Sequence, residues 1–199
     1  MITLAIETST KQGSVAALAD GCLIFNDQFT ADRSHSSELF VSLEHALKVI
    51  SHCDQIVVGL GPGSYSGVRI AISAAIGLQY GLQARLIGVS SIIALATDAV
   101  SYQVIGDARR GTFYYARVGE GNCSEGPLLL TETELAARIE REKLPVFSSD
   151  SIEGIATLQL AFPSAEKLAR LAERGNGIIS HDDLEPIYLR EPHITQPKN

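Results

Sequence analysis

The sequence predicts an α/β fold: mixed sheets with helices on their faces. Three observations carry that expectation. The first half of the chain reads as β-β-β-α-β-α-β-α, a meander followed by alternation. One segment, Ile56 to Leu60, is a near-continuous apolar run, as a central parallel strand requires. A chain of 199 residues with 45% apolar content can also bury one large domain or two small lobes.

Each element has a local reason. Ile2 to Glu7 reads as a buried first strand. Ser14–Leu18 and Cys22–Phe29 flank Asp20-Gly21, a hairpin signal. Ser34 is a helix cap, and a helix runs to about Ile50 with Leu39, Phe40, Leu43, Leu47 and Ile50 on one broad stripe. After Ile56–Leu60 come a Gly/Pro loop at 61–67, a helix over 68–82 and a strand over Arg85–Val89. Ser90 or Ser91 caps a further helix, predicted to reach Asp98.

The second half is sparser. Tyr102–Ile105 and Thr112–Val118 read as paired strands joined through Asp107-Ala-Arg-Arg-Gly111. Thr131-x-x-Glu134 is a capping box that opens a helix to about Glu142. Pro145–Phe147 reads as a strand, and Ser164 caps a helix that stops at Arg174-Gly175. From Glu185 the chain is punctuated by Pro and is expected to lie extended. A boundary near residue 100 divides the chain into 1–100 and a smaller 101–199 lobe.

Composition excludes several classes. No run of about 20 uninterrupted apolar residues is present, so no membrane span is expected. The start, MITLAIE, reads as a strand and not as a signal peptide. Cys22, Cys53 and Cys123 lie far apart with no C-x-x-C, which points to free thiols in a reducing cytoplasm. The net charge of −7 disfavours autonomous binding to a phosphate backbone.

The loop GLGPGSYSG resembles three familiar sites and fails each. A Walker loop needs a Lys, and the segment has none. A Rossmann turn needs Gly where Ser66 stands, and a hydrolase elbow needs Ser where Tyr65 stands. Two readings remain: a sharp strand-to-helix turn, or a helix N-terminus that holds an anion. Glu7-Thr8-Ser9-Thr10 likewise reads as a polar hairpin turn or as hydroxyls that embrace a phosphate, with Thr8 and Ser9 as the contacts. His45 and His52, spaced about two turns apart beside Cys53, read as solvated helix histidines before they read as ligands. His181-Asp182-Asp183 reads as a loop, and Asp107 with Arg109 as a turn salt bridge or a substrate contact.

The helix over 68–82 is apolar nearly all round. A soluble helix of that kind must be covered on more than one side. Gly67, Ala71, Ala74, Ala75 and Gly77 permit close approach, while Ile70, Ile72, Ile76 and Leu78 point in other directions. Burial against a partner is the favoured reading, and burial within one domain the other.

Several motifs in order resemble the bacterial TsaB (YeaZ) family. They are Ile6-Glu7-Thr8-Ser9-Thr10, Gly13-Ser14-Val15-Ala16, His35-Ser36, Val58-Gly59 with Gly61-Pro62-Gly63-Ser64-Tyr65-Ser66-Gly67-Val68-Arg69-Ile70, Gly88-Val89-Ser90-Ser91, Asp107-Ala108-Arg109 and Tyr188-Leu189-Arg190. The resemblance covers nearly the whole chain. It implies an actin-like/Hsp70-like (ASKHA) fold of two lobes, the second reduced. It implies a role in forming the threonylcarbamoyl group on adenosine 37 of tRNAs that read codons beginning with adenine. The implied partners are the transferase TsaD as a heterodimer, the ATPase TsaE, and a second copy of the chain when TsaD is absent, with tRNA met only indirectly. Implied contacts come from the helices over 34–50 and 68–82: Leu39, Leu43, Leu47, Ile70, Ala71, Ala74, Ala75 and Leu78.

Departures from TsaD define the expected division of labour. TsaD carries a metal-binding H-x-x-x-H where this chain has Ser91 and Leu95, so no metal site is expected. The acidic residues that follow the first turn in TsaD are replaced by Lys11-Gln12. No second Gly-rich loop follows residue 111, and Gly175-Asn176-Gly177 reads as a helix stop. The expectation is a non-catalytic scaffold with no cofactor of its own, with ATP or ADP placed at the complex interface. A metal-dependent peptidase and a nucleotide-binding regulatory module, the latter using Thr8, Ser9 and the helix start near Ser66, are the alternatives.

Overall fold

The computed structural model describes residues 1–30, 35–180 and 184–189. Ser34, His181-Asp182-Asp183, Arg190 and His193 lie outside the described residues. The chain opens with β1 (Ile2–Glu7), β2 (Gln12–Ala19), β3 (Cys22–Thr30), α1 (His35–Val49), β4 (Gln55–Gly59), α2 (Tyr65–Leu82) and β5 (Arg85–Val89). It continues with β6 (Ser101–Asp107), β7 (Thr112–Gly119), β8 (Asn122–Thr131), α3 (Glu132–Glu142), β9 (Val146–Ser148), β10 (Leu158–Leu160), α4 (Ala165–Glu173) and β11 (Ile178–Ser180).

Two mixed sheets result, in the orders β11-β5-β4-β1-β2-β3 and β10-β9-β6-β7-β8. In the first, β1, β4 and β5 are parallel, while β2, β3 and β11 run antiparallel to their neighbours. The second repeats that plan. A three-stranded meander is followed by a helix, then by two parallel strands beside the first strand of the meander. The repeat is incomplete, because α2 joins β4 to β5 whereas only a loop joins β9 to β10. The result is an α/β plan of two mixed sheets whose second half is reduced.

Strand alternation sorts the core. Leu4, Ile6, Val15, Ala17, Ile56 and Val58 face one way and pack with α1 and α2. Ala5, Ala16, Leu18, Val57 and Val89 face the other way and pack with α4. The second sheet sends Tyr102, Val104, Ala116, Val118 and Phe147 toward that same α4. Its opposite face, with Ile105, Tyr115 and Val146, packs on Leu135 of α3. Helix α4 is therefore held between the two sheets. The chain passes from the first sheet to the second between Val89 and Ser101, then returns through α4 and β11. A division at residue 100 thus cuts across the first sheet.

Several terminations follow the local chemistry. Asp20 and Gly21 both take positive φ in the predicted hairpin. The capping box at Thr131 and Glu134 is formed in both directions. Ser164 caps α4, and Gly175 at φ +74° ends it.

Three expectations fail. No helix spans Ser90 to Asp98; a single turn at Ser91–Ile93 gives way to an extended pairing. There the Ala96 and Ser164 N–H groups bond the Phe162 and Ala94 carbonyls, and Leu95 bridges Pro163. Tertiary backbone partners outcompete a segment rich in β-branched residues. Strand β8 has no counterpart in the sequence reading, and Gly126-Pro127 lies within it. It survives as an edge strand, with Gly126 and Pro127 beside a register shift in its pairing with β7. Finally, α1 stops at Val49, so His45 and His52 do not share a helix face, and His52 instead pairs with Asp54 at 3.4 Å.

The burial of one α4 stripe, Ala165, Leu168, Ala169 and Ala172, gives a direct expectation. Leu168 is fully buried between the sheets. Leu168→Ala should lower stability by about 2–5 kcal/mol in urea unfolding, with loss of cooperativity between the sheets absent if the transition stays single.

Candidate functional site

The end of β1 and the start of α2 are joined backbone to backbone. The Ser64 N–H donates to the Ser9 carbonyl at 2.6 Å. The Thr8 hydroxyl donates to the Gly67 carbonyl at 2.8 Å. Ser64 is the α2 cap and accepts from the Gly67 N–H. Glycines make this contact possible. A Cβ at Gly63 would lie 2.0 Å from the Ser9 carbonyl oxygen, and one at Gly67 would lie 2.1 Å from that of Thr8. The Gly/Pro loop is thus a tight seam between strand and helix.

Glu7 lies beneath this seam and is fully buried. Its Oε1 accepts the Ser9 N–H at 2.6 Å, while Oε2 has no hydrogen-bond partner. The carboxylate occupies the space left by Gly59, where a Cβ would meet Oε2 at 2.0 Å. Burial pushes the Glu7 carboxyl above the ordinary carboxylate range, opposed by the polar groups of Ser9, Ser91 and Thr8 around it.

A cleft of about 540 Å³ opens beside the seam. Ser9, Thr10, Lys11 and Pro62–Tyr65 line it from the first sheet's side, and Asp107–Arg109, Tyr114, Ser149 and Asp150 from the second's. Asp107 and Arg109 form the turn salt bridge at 3.4 Å, and the Arg109 N–H also donates to Asp107. Of the two predicted phosphate contacts, Ser9 lines the cleft while the Thr8 hydroxyl is already engaged by Gly67. Tyr114, Ser149 and Asp150 carry no motif, and nothing in their spacing singles them out.

The last described segment closes over the same region. The Ile187 N–H donates to the Leu60 carbonyl at 2.8 Å. Tyr188 stacks on Tyr65 with ring centroids 5.3 Å apart, and both hydroxyls accept from Arg69. Ile187 and Leu189 form part of the cleft wall.

Relatives share this architecture across the chain. Residues 29–126 match the family model described as TsaD, tRNA N6-adenosine threonylcarbamoyltransferase. The tRNA threonylcarbamoyladenosine biosynthesis protein TsaB of Escherichia coli is 29% identical, with 94% of this chain and 85% of that protein covered. The protein of the same name in Haemophilus influenzae is 26% identical, with 94% and 92% covered. YeaZ of Pseudomonas aeruginosa superposes with a TM-score of 0.73 at 26% identity, with 94% and 99% covered. The chain is similar to the TsaB and YeaZ proteins over nearly its whole length.

The positions that would carry a metal have structural duties. The Ser91 hydroxyl accepts the Gly61 N–H at 3.0 Å. Leu95 is buried in the core between the sheets. Among the described residues, no group of three or more His, Cys, Asp or Glu side chains is arranged to hold a metal ion. Among the same residues, no helix is long and apolar enough to cross a membrane.

The structure divides the predicted contact residues. Leu39, Leu43, Ala71 and Ala75 are buried in the chain's own core and cannot reach a partner. A charge at Ala71 would break the fold before it tested an interface. Leu47, Ile70 and Leu78 retain exposed surface, and Ala74 lies at the edge of the core. Four of the eight implied contacts thus lie on the inward stripe. The outward stripe carries Phe40, Ile76 and Tyr80, the last 80% exposed.

Glu7 yields a pH signature. An acid whose folded pKa is raised contributes stability that is complete below its unfolded value, near 4.5, and is lost as pH rises through the folded value. Glu7→Gln removes that dependence. The stability of the native chain relative to Glu7→Gln should fall as pH rises above about 4.5 and level off once the folded value is passed. Urea melts of both proteins at stepped pH measure the difference; a flat or rising curve contradicts the buried, orphaned carboxyl.

Proposed function

We propose that this chain is a non-catalytic docking subunit in the formation of N6-threonylcarbamoyladenosine at position 37 of tRNAs reading codons that begin with adenine. Its partner is a TsaD-type transferase, with a TsaE-type ATPase joining the pair. A second copy of the chain takes the same surface when the transferase is absent. The setting is the cytoplasm, and tRNA is reached through the partner. ATP or ADP, where present, sits at the complex interface, with the cleft beside Ser9 as this chain's contribution.

One observation carries the reading. Gly77 and Gly81 sit in the middle and last turn of α2, where each costs about 1 kcal/mol relative to Ala. A Cβ at either would meet nothing within 4 Å. Internal packing therefore gives no reason for glycine there, whereas close approach of another backbone does. The same exposed face carries Ile76 and Tyr80, and neighbouring α1 adds Phe40 and Leu47. Both helices lie on one face of the first sheet, so these side chains form one apolar surface. The names of the relatives support the pathway, and the duties of Ser91 and Leu95 support the absence of catalysis.

Two measurements test this. Gly77→Ala with Gly81→Ala should raise the stability of the isolated chain by about 1–2 kcal/mol while weakening its association with the transferase on size exclusion. Greater stability with unchanged association would sink the docking face. Depletion of the chain should remove threonylcarbamoyladenosine from tRNA nucleosides seen by mass spectrometry, and Ile76→Glu should fail to restore it. A normal nucleoside level after depletion would overturn the proposal.

A further inference from the structure

A second hollow, of about 440 Å³, lies where both sheets meet α4. It has a size and position typical of small-molecule sites. Its walls come from the connection after β5, the β7–β8 turn and the outer face of α4. Ile93, Leu95, Tyr102 and Val118, all buried side chains of the core between the sheets, form an apolar floor. Nothing in the docking role uses this space.

Five charged side chains line the hollow, and four of them form no ion pair among the described residues. Arg170 is already matched, by Glu166 at 2.9 Å and by the Gly21 carbonyl at 3.0 Å. Lys167 donates its Nζ to the Thr97 carbonyl at 2.8 Å, which fixes the ammonium but leaves its charge without a carboxylate. The Arg174 guanidinium makes no hydrogen bond or ion pair among the described residues. Asp98 and Glu120 also line the hollow, and neither carboxylate forms an ion pair there. Lys167 and Arg174 lie seven residues apart on α4 and so share a face. Asp98 and Glu120 come from the opposing connection and turn.

Unpaired cations on one wall and unpaired carboxylates on the other, above an apolar floor, complement a zwitterion with an apolar body. We propose that this hollow binds a free α-amino acid with a large apolar side chain. Its carboxylate accepts from Arg174 and Lys167, its ammonium donates to Asp98 or Glu120, and its side chain covers the floor. Because the walls come from elements of both sheets, the bound molecule bridges the lobes.

Amide-resolved NMR titration of the full chain tests this with three probes: phenylalanine, 3-phenylpropionate, which lacks the ammonium, and phenethylamine, which lacks the carboxylate. Phenylalanine should shift the amides of Ala99, Val100, Gly121 and Asn176 with saturation, and each truncated probe should bind about fivefold more weakly or worse. Arg174→Gln and Glu120→Gln, both at exposed positions, should each reduce phenylalanine binding by about fivefold while distant amides stay in place. The proposal is overturned if phenylalanine shifts none of these amides. It is also overturned if either truncated probe binds as tightly as phenylalanine, or if both variants bind it unchanged.

Discussion

The seam between the β1 turn and the start of α2 is the constraint on which the rest depends. Two short hydrogen bonds, Ser64 to Ser9 and Thr8 to Gly67, fix where the helix leaves the sheet. They require glycine at 63 and 67, since any Cβ there would enter a carbonyl oxygen. That one join sets the tilt of α2, hence the face it turns outward and the mouth of the cleft beside it. The seam also engages the Thr8 hydroxyl, one of the two predicted phosphate contacts. A turn of the kind that holds anions elsewhere here holds a helix.

The second constraint is α4. A helix of nine residues supplies core to two sheets at once, through Ala165, Leu168, Ala169 and Ala172. Small residues let both sheets approach, and the single Leu fills the gap between them. The incomplete second repeat follows the same economy of parts. Its loop between β9 and β10 stands where α2 stands in the first, so only the first lobe has a second helix to present outward.

Much of this was legible in sequence. The apolar run of β4, the Asp20-Gly21 hairpin, the Thr131 capping box and the Gly175 stop each rest on chemistry confined to a few neighbours. What failed needed distant partners. Ser90 looks like a cap, but the residues after it pair with Phe162 and Pro163, some seventy positions on in the chain. Strand β8 contains Gly-Pro and is tolerated only because it lies at an edge, which is a property of the sheet and not of the segment. In the candidate site, the Glu7-Thr8-Ser9 turn was readable, but the recipient of each hydroxyl was not. Helices α1 and α2 were readable as well. Their periodicity shows a stripe, but not which stripe the sheet keeps, so Leu39, Leu43, Ala71 and Ala75 were read as surface while Tyr80 was passed over.

The return of the chain to its first sheet has a consequence for synthesis. Strand β11 and helix α4 complete that sheet, and Tyr188 braces the first turn of α2 from near the far end of the sequence. A nascent chain that has exposed α1 and α2 still lacks an edge strand, one covering helix and the aromatic brace. Vectorial folding, which favours early segments, here leaves the first sheet unfinished until α4, β11 and Tyr188 have been synthesised. The proposed docking face on α1 and α2 is thereby complete only once those later segments have been made.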